Sequence, residues 1–243
     1  MPVTDPKLTD RVASLHWYHT IELAPGKTTP GWFDLRPYVP RYGLPERMDG
    51  MRALDVGTWD GFWAFEMERR GAEVVALDLD DERELDWPPR RRPETFPDRA
   101  RGAGFAIARE ALGSRVERVV RSIYDATPEE LGHFDLVFCG SVLIHLRDQL
   151  LALERIAELC TGTFISAEEY DRPSSLLPFA VSRYRADDPS AVVFWRPSVR
   201  AWRAMMWTAG FDAVEAKGRF KLRSTEGFSV PHVVIHASKS PAS

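Results

Sequence analysis

The stretch ALDVGTWDGFW, Ala53 to Trp63, decides the fold. Its apolar start, 52–56, reads as a buried strand that ends at Val56. A loop with Gly57 and Gly61 follows. It runs into FWAFEMERRGAEVVALDLDD, a helix over 61–70 and a second strand over 73–78. Glycine at Gly57 permits backbone angles that a side chain forbids, and Gly61 lets the helix start pack close to the strand. Asp78 ends the second strand, where a carboxylate can accept hydrogen bonds from both hydroxyls of a ribose.

The same alternation continues downstream. Strands are expected at 115–121, 134–139 and 161–168, and helices at 102–113 and 146–160. PSVRAWRAMMWTAGF reads as a late helix opened by Pro197 and closed by Gly210. Strands at 211–217 and 231–238 end the chain, with GRFKLRSTEGFS as a hairpin-like connection. Strands alternating with helices predict an α/β fold, a Rossmann-like doubly wound sheet of seven strands. Residues 1–50 are broken by prolines and are expected to form an N-terminal lid on a domain spanning 51–243. Within them, Thr4-Asp5-Pro6 caps a short helix to about Ser14, and HWYHTIEL alternates as an extended segment. Glu169 to Arg196 reads as irregular, and PPRRRPETFPDRARG as a solvated, mobile loop.

Composition bounds the function. The 243 residues are 44% hydrophobic and 28% charged, enough for one sizeable core. A net charge of −4 argues against a surface built for long nucleic acid. Cys139 and Cys160 are the only cysteines and form no CxxC pair, so a reducing cytoplasm is expected and no zinc site. No apolar run reaches the length of a membrane span, and the first ten residues lack a signal core.

The loop itself argues against a dinucleotide. A pyrophosphate turn wants three glycines and small residues. Here Trp59 and Asp60 fill the loop and Asp55 precedes it, which suits a cationic ligand without phosphate. S-adenosyl-L-methionine, with a ribose, an ammonium and a sulfonium, is such a ligand. Asp55 could instead tie loop amides together.

LDVGTWDG, VVALD and FDLVFCGSVLIHL together resemble the motifs of class I S-adenosylmethionine-dependent methyltransferases, over roughly residues 50–240. That resemblance implies a last strand antiparallel to the sheet, and S-adenosyl-L-homocysteine as product. It implies that Gly57, Thr58, Trp59 and Gly61 shape the methionine and ribose pocket, with Asp55 near the amino group. Asp78 would bind ribose and Leu79 pack on adenine. Ser122 and Ile123 would flank the adenine edge, and Cys139 and Gly140 line the methionine side.

WYHTIELAPGKTTPGWFDLRP, TWDGFW and LDWP further resemble short relatives of the tRNA wobble-uridine carboxymethyltransferase family. In that family a tyrosine of the VLYH segment helps bind a carboxylated cofactor. Ile144 stands there in this chain, so ordinary methyl transfer is the expectation.

Other side chains supply candidate chemistry. His19 and His145 are candidate general bases, although an imidazole such as His145 serves equally as a structural group bonded to backbone. His16 and His19, three apart, lack a third ligand, so no metal is expected. Glu168, Glu169 and Tyr170 follow the fifth strand, at the edge where substrates lie, and could deprotonate or orient an acceptor. Eight tryptophans are many for this length. Trp17, Trp59, Trp63 and Trp195 are candidate walls for an apolar or aromatic small-molecule acceptor, and Trp32 a lid residue burying itself. The expected activity is therefore methyl transfer to a small organic molecule, possible in specialised metabolism, with tRNA modification as the alternative.

Overall fold

A computed structural model of the chain describes residues 6–188 and 192–240. Thr4 and Asp5, the expected helix cap, lie outside the described residues. The N-terminal segment contains α1 (Pro6–Ala13), β1 (Trp17–His19), β2 (Glu22–Ala24), β3 (Lys27–Thr28) and β4 (Gly31–Phe33). The central region runs β5 (Arg52–Val56), α2 (Phe62–Arg69), β6 (Glu73–Asp78), α3 (Ala103–Leu112), β7 (Glu117–Val120), α4 (Pro128–Leu131) and β8 (Phe134–Gly140). After it come α5 (Gln149–Leu159), β9 (Cys160–Glu169), β10 (Ser182–Tyr184), β11 (Trp195–Pro197), α6 (Val199–Thr208), β12 (Ala213–Arg223) and β13 (Ser229–Ser238).

Seven of these strands form one sheet in the order β7-β6-β5-β8-β9-β13-β12. β5 pairs in parallel with both β6 and β8, and β8 with β9. The final strand β13 is antiparallel to β9 on one side and to β12 on the other, as expected.

Side chains on successive strand residues point to opposite faces, and the two faces carry two cores. Ala53, Leu136, Phe138 and Ile165 pack with α2 and α3 residues such as Met67 and Phe105. Leu54, Val56, Val137 and Phe164 pack with α5 and α6 residues such as Ile156 and Trp202. This two-sided burial explains why the central strands read as continuous apolar runs. Trp17, Ile21, Leu23, Phe33 and Met48 belong to the first core. The N-terminal segment is thus built into the α2 face rather than laid over a finished domain.

Four local expectations are corrected. HWYHTIEL is not one strand: β1 pairs in parallel with β4, and the pairing ends at His19. Gly31 is required there, because a Cβ on it would stand 2.1 Å from the carbonyl carbon of His19. Pro197 does not open α6. It ends β11, and the Ser198 side chain caps the helix by accepting from Ala201 N–H at 3.2 Å. GRFKLRSTEGFS is largely strand: the β12–β13 ladder runs to Arg223 and Ser229, with an irregularity between Ala216 and Gly218 that leaves Lys217 as the extra residue. The segment 169–196 holds the β10–β11 pair, antiparallel across Ser182–Tyr184.

Candidate active site

The cavity opens beyond the carboxyl ends of β5, β6, β7 and β8, where an open α/β sheet binds ligands. Its volume is about 570 Å³, and Val56, Gly57, Asp78, Ser122, Gly140 and Ser141 line it from those strand ends. Tyr18, His19 and Trp32 close it from the N-terminal segment. Leu85, Trp87, Arg91 and Arg101 close it from the β6–α3 connection.

The first loop is held by carboxylates. Asp78 accepts from Trp59 N–H and from Leu79 N–H, each at 2.7 Å, so its two oxygens are fixed at the cavity wall. Trp59 has φ of +47°, the positive value that L residues avoid, and the bond to Asp78 holds it there. Gly57 has φ of +72°, and a Cβ on it would stand 2.3 Å from Val142 Cγ2. Gly61 has φ of +92°, and its missing side chain leaves room for Phe65 of α2 and Phe105 of α3, whereas the sequence suggests close packing on the strand.

Asp55 is buried and accepts from Ala64 N–H at 3.1 Å. It is not part of the cavity wall. Its role is the tying one: it fixes the start of α2, and burial pushes its pKa up to about 7.

At the β6–β7 end, Leu77, Leu79 and Ile123 offer flat apolar surface. Ser122 lines the wall, with its hydroxyl accepting from Tyr124 N–H at 3.2 Å. Tyr124 donates its hydroxyl to Asp86 at 2.6 Å, and Arg147 N–H reaches the same Asp86 oxygen at 2.7 Å. Asp86 and Trp87 of the LDWP stretch thereby join the cavity wall.

The β5–β8 end is aromatic. The Tyr18 ring lies 5.3 Å from Trp59 and 6.2 Å from Trp32, and the Arg101 guanidinium stands 4.0 Å from the Trp59 ring centre. Asp60 is buried and accepts from Tyr18 N–H at 2.6 Å and His19 N–H at 3.0 Å. His19 is buried; its Nδ1 stands 3.9 Å from an Asp60 oxygen with no hydrogen-bond partner among the described residues, and desolvation pushes its pKa down to about 3. His145 lines the cavity, is exposed to it, and has Nδ1 bonded to the Val192 carbonyl.

A family model described as a methyltransferase domain matches residues 33–216. The chain belongs to that family. Its motifs and its sheet order make it a class I S-adenosylmethionine-dependent methyltransferase. Among curated relatives, the ubiquinone biosynthesis O-methyltransferase of Xanthomonas campestris pv. campestris (strain B100) is 30% identical over 139 residues. The match covers 53% of this chain, which spans about half (51%) of that relative's length. The N-terminal domain of EvdMO1, solved with SAH bound, superposes with a TM-score of 0.67 at 19% identity and covers 96% of both chains. The Burkholderia thailandensis 1,6-didemethyltoxoflavin-N1-methyltransferase superposes with a TM-score of 0.53 at 15% identity, covering 79% of this chain and 72% of that one.

The methyltransferase's cavity fits S-adenosylmethionine by its own chemistry. A fixed carboxylate, Asp78, faces apolar Leu79 and Ile123 for a ribose and a purine, and the Gly57 backbone approaches without a side chain. The volume falls in the usual range for such ligands, about 300–1,000 Å³.

Not every residue singled out in the sequence reaches this cavity. Trp17 and Trp63 are buried in the α2-side core, and Trp17 donates its indole N–H to the Val12 carbonyl. Cys139 is buried in the α5–α6 core, one residue before the wall residue Gly140. Tyr170 packs in the α5–α6 core, and Trp195 lies edge-on to Tyr184 on the β10–β11 pair. Thr58 and Gly61 support the loop from behind.

The methyltransferase also places both glutamates away from the cavity wall. Glu168 is buried, and its Oε1 accepts from Val142 N–H at 3.0 Å and Leu143 N–H at 3.1 Å. It holds the chain turn after β8, and burial pushes its pKa up to about 8. Glu169 pairs with Arg196 at 2.9 Å.

Sequence reasoning missed Tyr18, Asp86, Trp87, Arg101 and Ser141 as wall residues, and it read Asp60 as part of the loop without its bonds to the N-terminal segment. Tyr18 was available from the Trp17–His19 alternation, but which face turns inward depends on the parallel β1–β4 pairing. The basic loop is also more than a solvated run. Arg91 lines the cavity, and Phe96 anchors the segment against Trp87 at 5.9 Å. Among the described residues no cluster of metal-ligating side chains occurs, and no helix is long and apolar enough to cross a membrane.

Proposed function

We propose that the chain transfers a methyl group from S-adenosylmethionine to a hydroxyl of a small aromatic acceptor. The observation that carries this reading is the aromatic end of the cavity, where Tyr18, Trp32 and Trp59 gather within 6.2 Å of one another through Tyr18. Such walls suit a planar apolar acceptor, and they stabilise a neighbouring cation. Arg101 beside Trp59 adds a fixed positive charge for an acidic substituent on that acceptor. The name of the Xanthomonas relative, an O-methyltransferase, supports oxygen as the methylated atom.

When bound, S-adenosylmethionine supplies an electrophilic methyl group on a sulfonium. The chain's residues do the rest. Asp78 holds the ribose, Gly57 and Gly140 admit the cofactor's other end, and the aromatic wall aligns the acceptor and excludes water. His19 and His145 stand at the wall as imidazoles able to take a proton.

The test is turnover of S-adenosylmethionine with catechol, vanillate and hydroxybenzoates, read by mass spectrometry as one added methyl. Methylation of phenols, with the acidic ones favoured, supports the reading. Methylation of tRNA in a salt-sensitive manner, with no phenol turned over, would replace it.

A further inference from the structure

Ser141 follows Gly140 at the carboxyl end of β8 and lines the cavity. Its Oγ lies 2.6 Å from His232 Nε2, a side chain delivered by the antiparallel strand β13. His232 is buried, at 4% exposure, and has no place in the cavity wall itself. Its other ring nitrogen, Nδ1, faces the Val230 carbonyl oxygen at 3.3 Å. A carbonyl only accepts, so that contact favours the tautomer with the proton on Nδ1. Nε2 then carries a lone pair, and the short contact is Ser141 O–H donating to it. The same hydroxyl has a longer contact, 3.2 Å, to the Ala167 carbonyl. It has one proton to give, and 2.6 Å to an imidazole lone pair is the stronger place for it. Oriented this way, Ser141 keeps an Oγ lone pair free to accept.

The position is also right for chemistry. Asp78, Leu79 and Ile123 mark the adenosine end over β6 and β7. The sulfonium end therefore falls over β5 and β8, beside Ser141 and the aromatic wall.

We propose that Ser141 is a further catalytic residue that takes the proton of the acceptor hydroxyl, with His232 behind it as the positioning residue that holds the relay open. This rests on methyl transfer to oxygen as proposed above. As the acceptor oxygen bonds the methyl carbon, the carbon–sulfur bond breaks and S-adenosylhomocysteine is released with the electron pair on sulfur. The acceptor's proton passes to Ser141 Oγ while Ser141's own proton passes to His232 Nε2. The reverse relay returns the proton to solvent once the products leave. Burial lowers the His232 pKa to about 4. A weak base suffices, because a hydroxyl oxygen becomes strongly acidic as its bond to the methyl group forms. Ser141 lies within the FDLVFCGSVLIHL stretch, but nothing there points to His232, since the two meet only through the β8–β9–β13 order.

Two measurements on the whole chain test it. Two-bond proton–nitrogen NMR on the ligand-free protein reads the His232 tautomer, with His232→Gln assigning the signal. A proton on Nδ1 and a bare Nε2 are expected. A proton on Nε2 overturns the relay whatever the kinetics show. The second measurement is methyl transfer to catechol by Ser141→Ala. The expected result is kcat lowered about 100-fold, a lost solvent isotope effect, and unchanged S-adenosylhomocysteine affinity by calorimetry. Unchanged kcat in Ser141→Ala, with kcat lost in His145→Gln, would move the base to His145 and overturn the proposal. Failure of the wild type to methylate any phenol overturns the acceptor reading instead, and with it the relay's task.

Discussion

The Asp60 carboxylate, buried in the cofactor loop, accepts the backbone N–H of Tyr18 at 2.6 Å. It takes the His19 N–H as well, at 3.0 Å. One side chain thus locks the N-terminal segment that carries Tyr18 onto the loop that carries Trp59. Asp60→Ala leaves the buried His19 N–H and the half-buried Tyr18 N–H unsatisfied, at a cost of about 1–3 kcal/mol for each fully buried donor. Tm should fall by roughly 2–4 °C for each kcal/mol, and proteases should cut between residues 14 and 34 first. Unchanged Tm and cleavage elsewhere would show that the segment is held by packing alone.

Asp78→Ala should weaken S-adenosylmethionine binding by about 1–3 kcal/mol, because the ribose loses its charged acceptor. It also frees Trp59 N–H, which now donates to Asp78 at 2.7 Å. Calorimetry reads the loss, and equal affinity in the variant rejects the ribose assignment.

Trp59→Ala separates a wall from a prop. If the ring aligns the acceptor, kcat/KM for catechol should drop on the order of 100-fold, while the melting temperature moves by a few degrees at most. A large fall in melting temperature with normal acceptor kinetics would reduce Trp59 to packing against Tyr18 and Arg101.

Stability should decline between pH 6.5 and 8. Burial raises Asp55 and Asp60 from 3.8 to about 7, and Glu168 from 4.5 to about 8. A carboxyl raised on folding stabilises below its unfolded pKa, and that stability is lost as pH rises through the folded value. His19 and His232, lowered from 6.5 to about 3 and about 4, act oppositely, but only below about 6.5. Above it the carboxyls are unopposed by these histidines, and Glu168 titrates last. Glu168→Gln keeps an acceptor for Val142 and Leu143 and removes the titration. It should raise Tm at pH 8, leave it nearly unchanged at pH 5, and preserve methyl transfer. Loss of turnover in this variant would restore Glu168 to the reacting centre.

Local sequence carries the sheet and the loop at the end of its first strand. Strand 52–56, the loop glycines and Asp78 are local features: a periodic apolar run, positive φ at Gly57 and Gly61, and an acid on a strand end. Each is written within about twenty-five consecutive residues, so short-range physics is enough to read it. The reacting end is different. Tyr18 turns to the cavity because β1 pairs in parallel with β4, and Trp17 is thereby sent into the core. Ser141 meets His232, 91 residues away, only because β13 enters the sheet beside β9. Asp60 finds Tyr18 across 42 residues. Burial depends on what packs overhead, and that set the carboxyls apart: Asp78 stands at the cavity wall, whereas Asp55 and Glu168 are sealed against backbone amides. Long-range strand order and desolvation have no local signature in a chain; they arise once distant strands pair and pack.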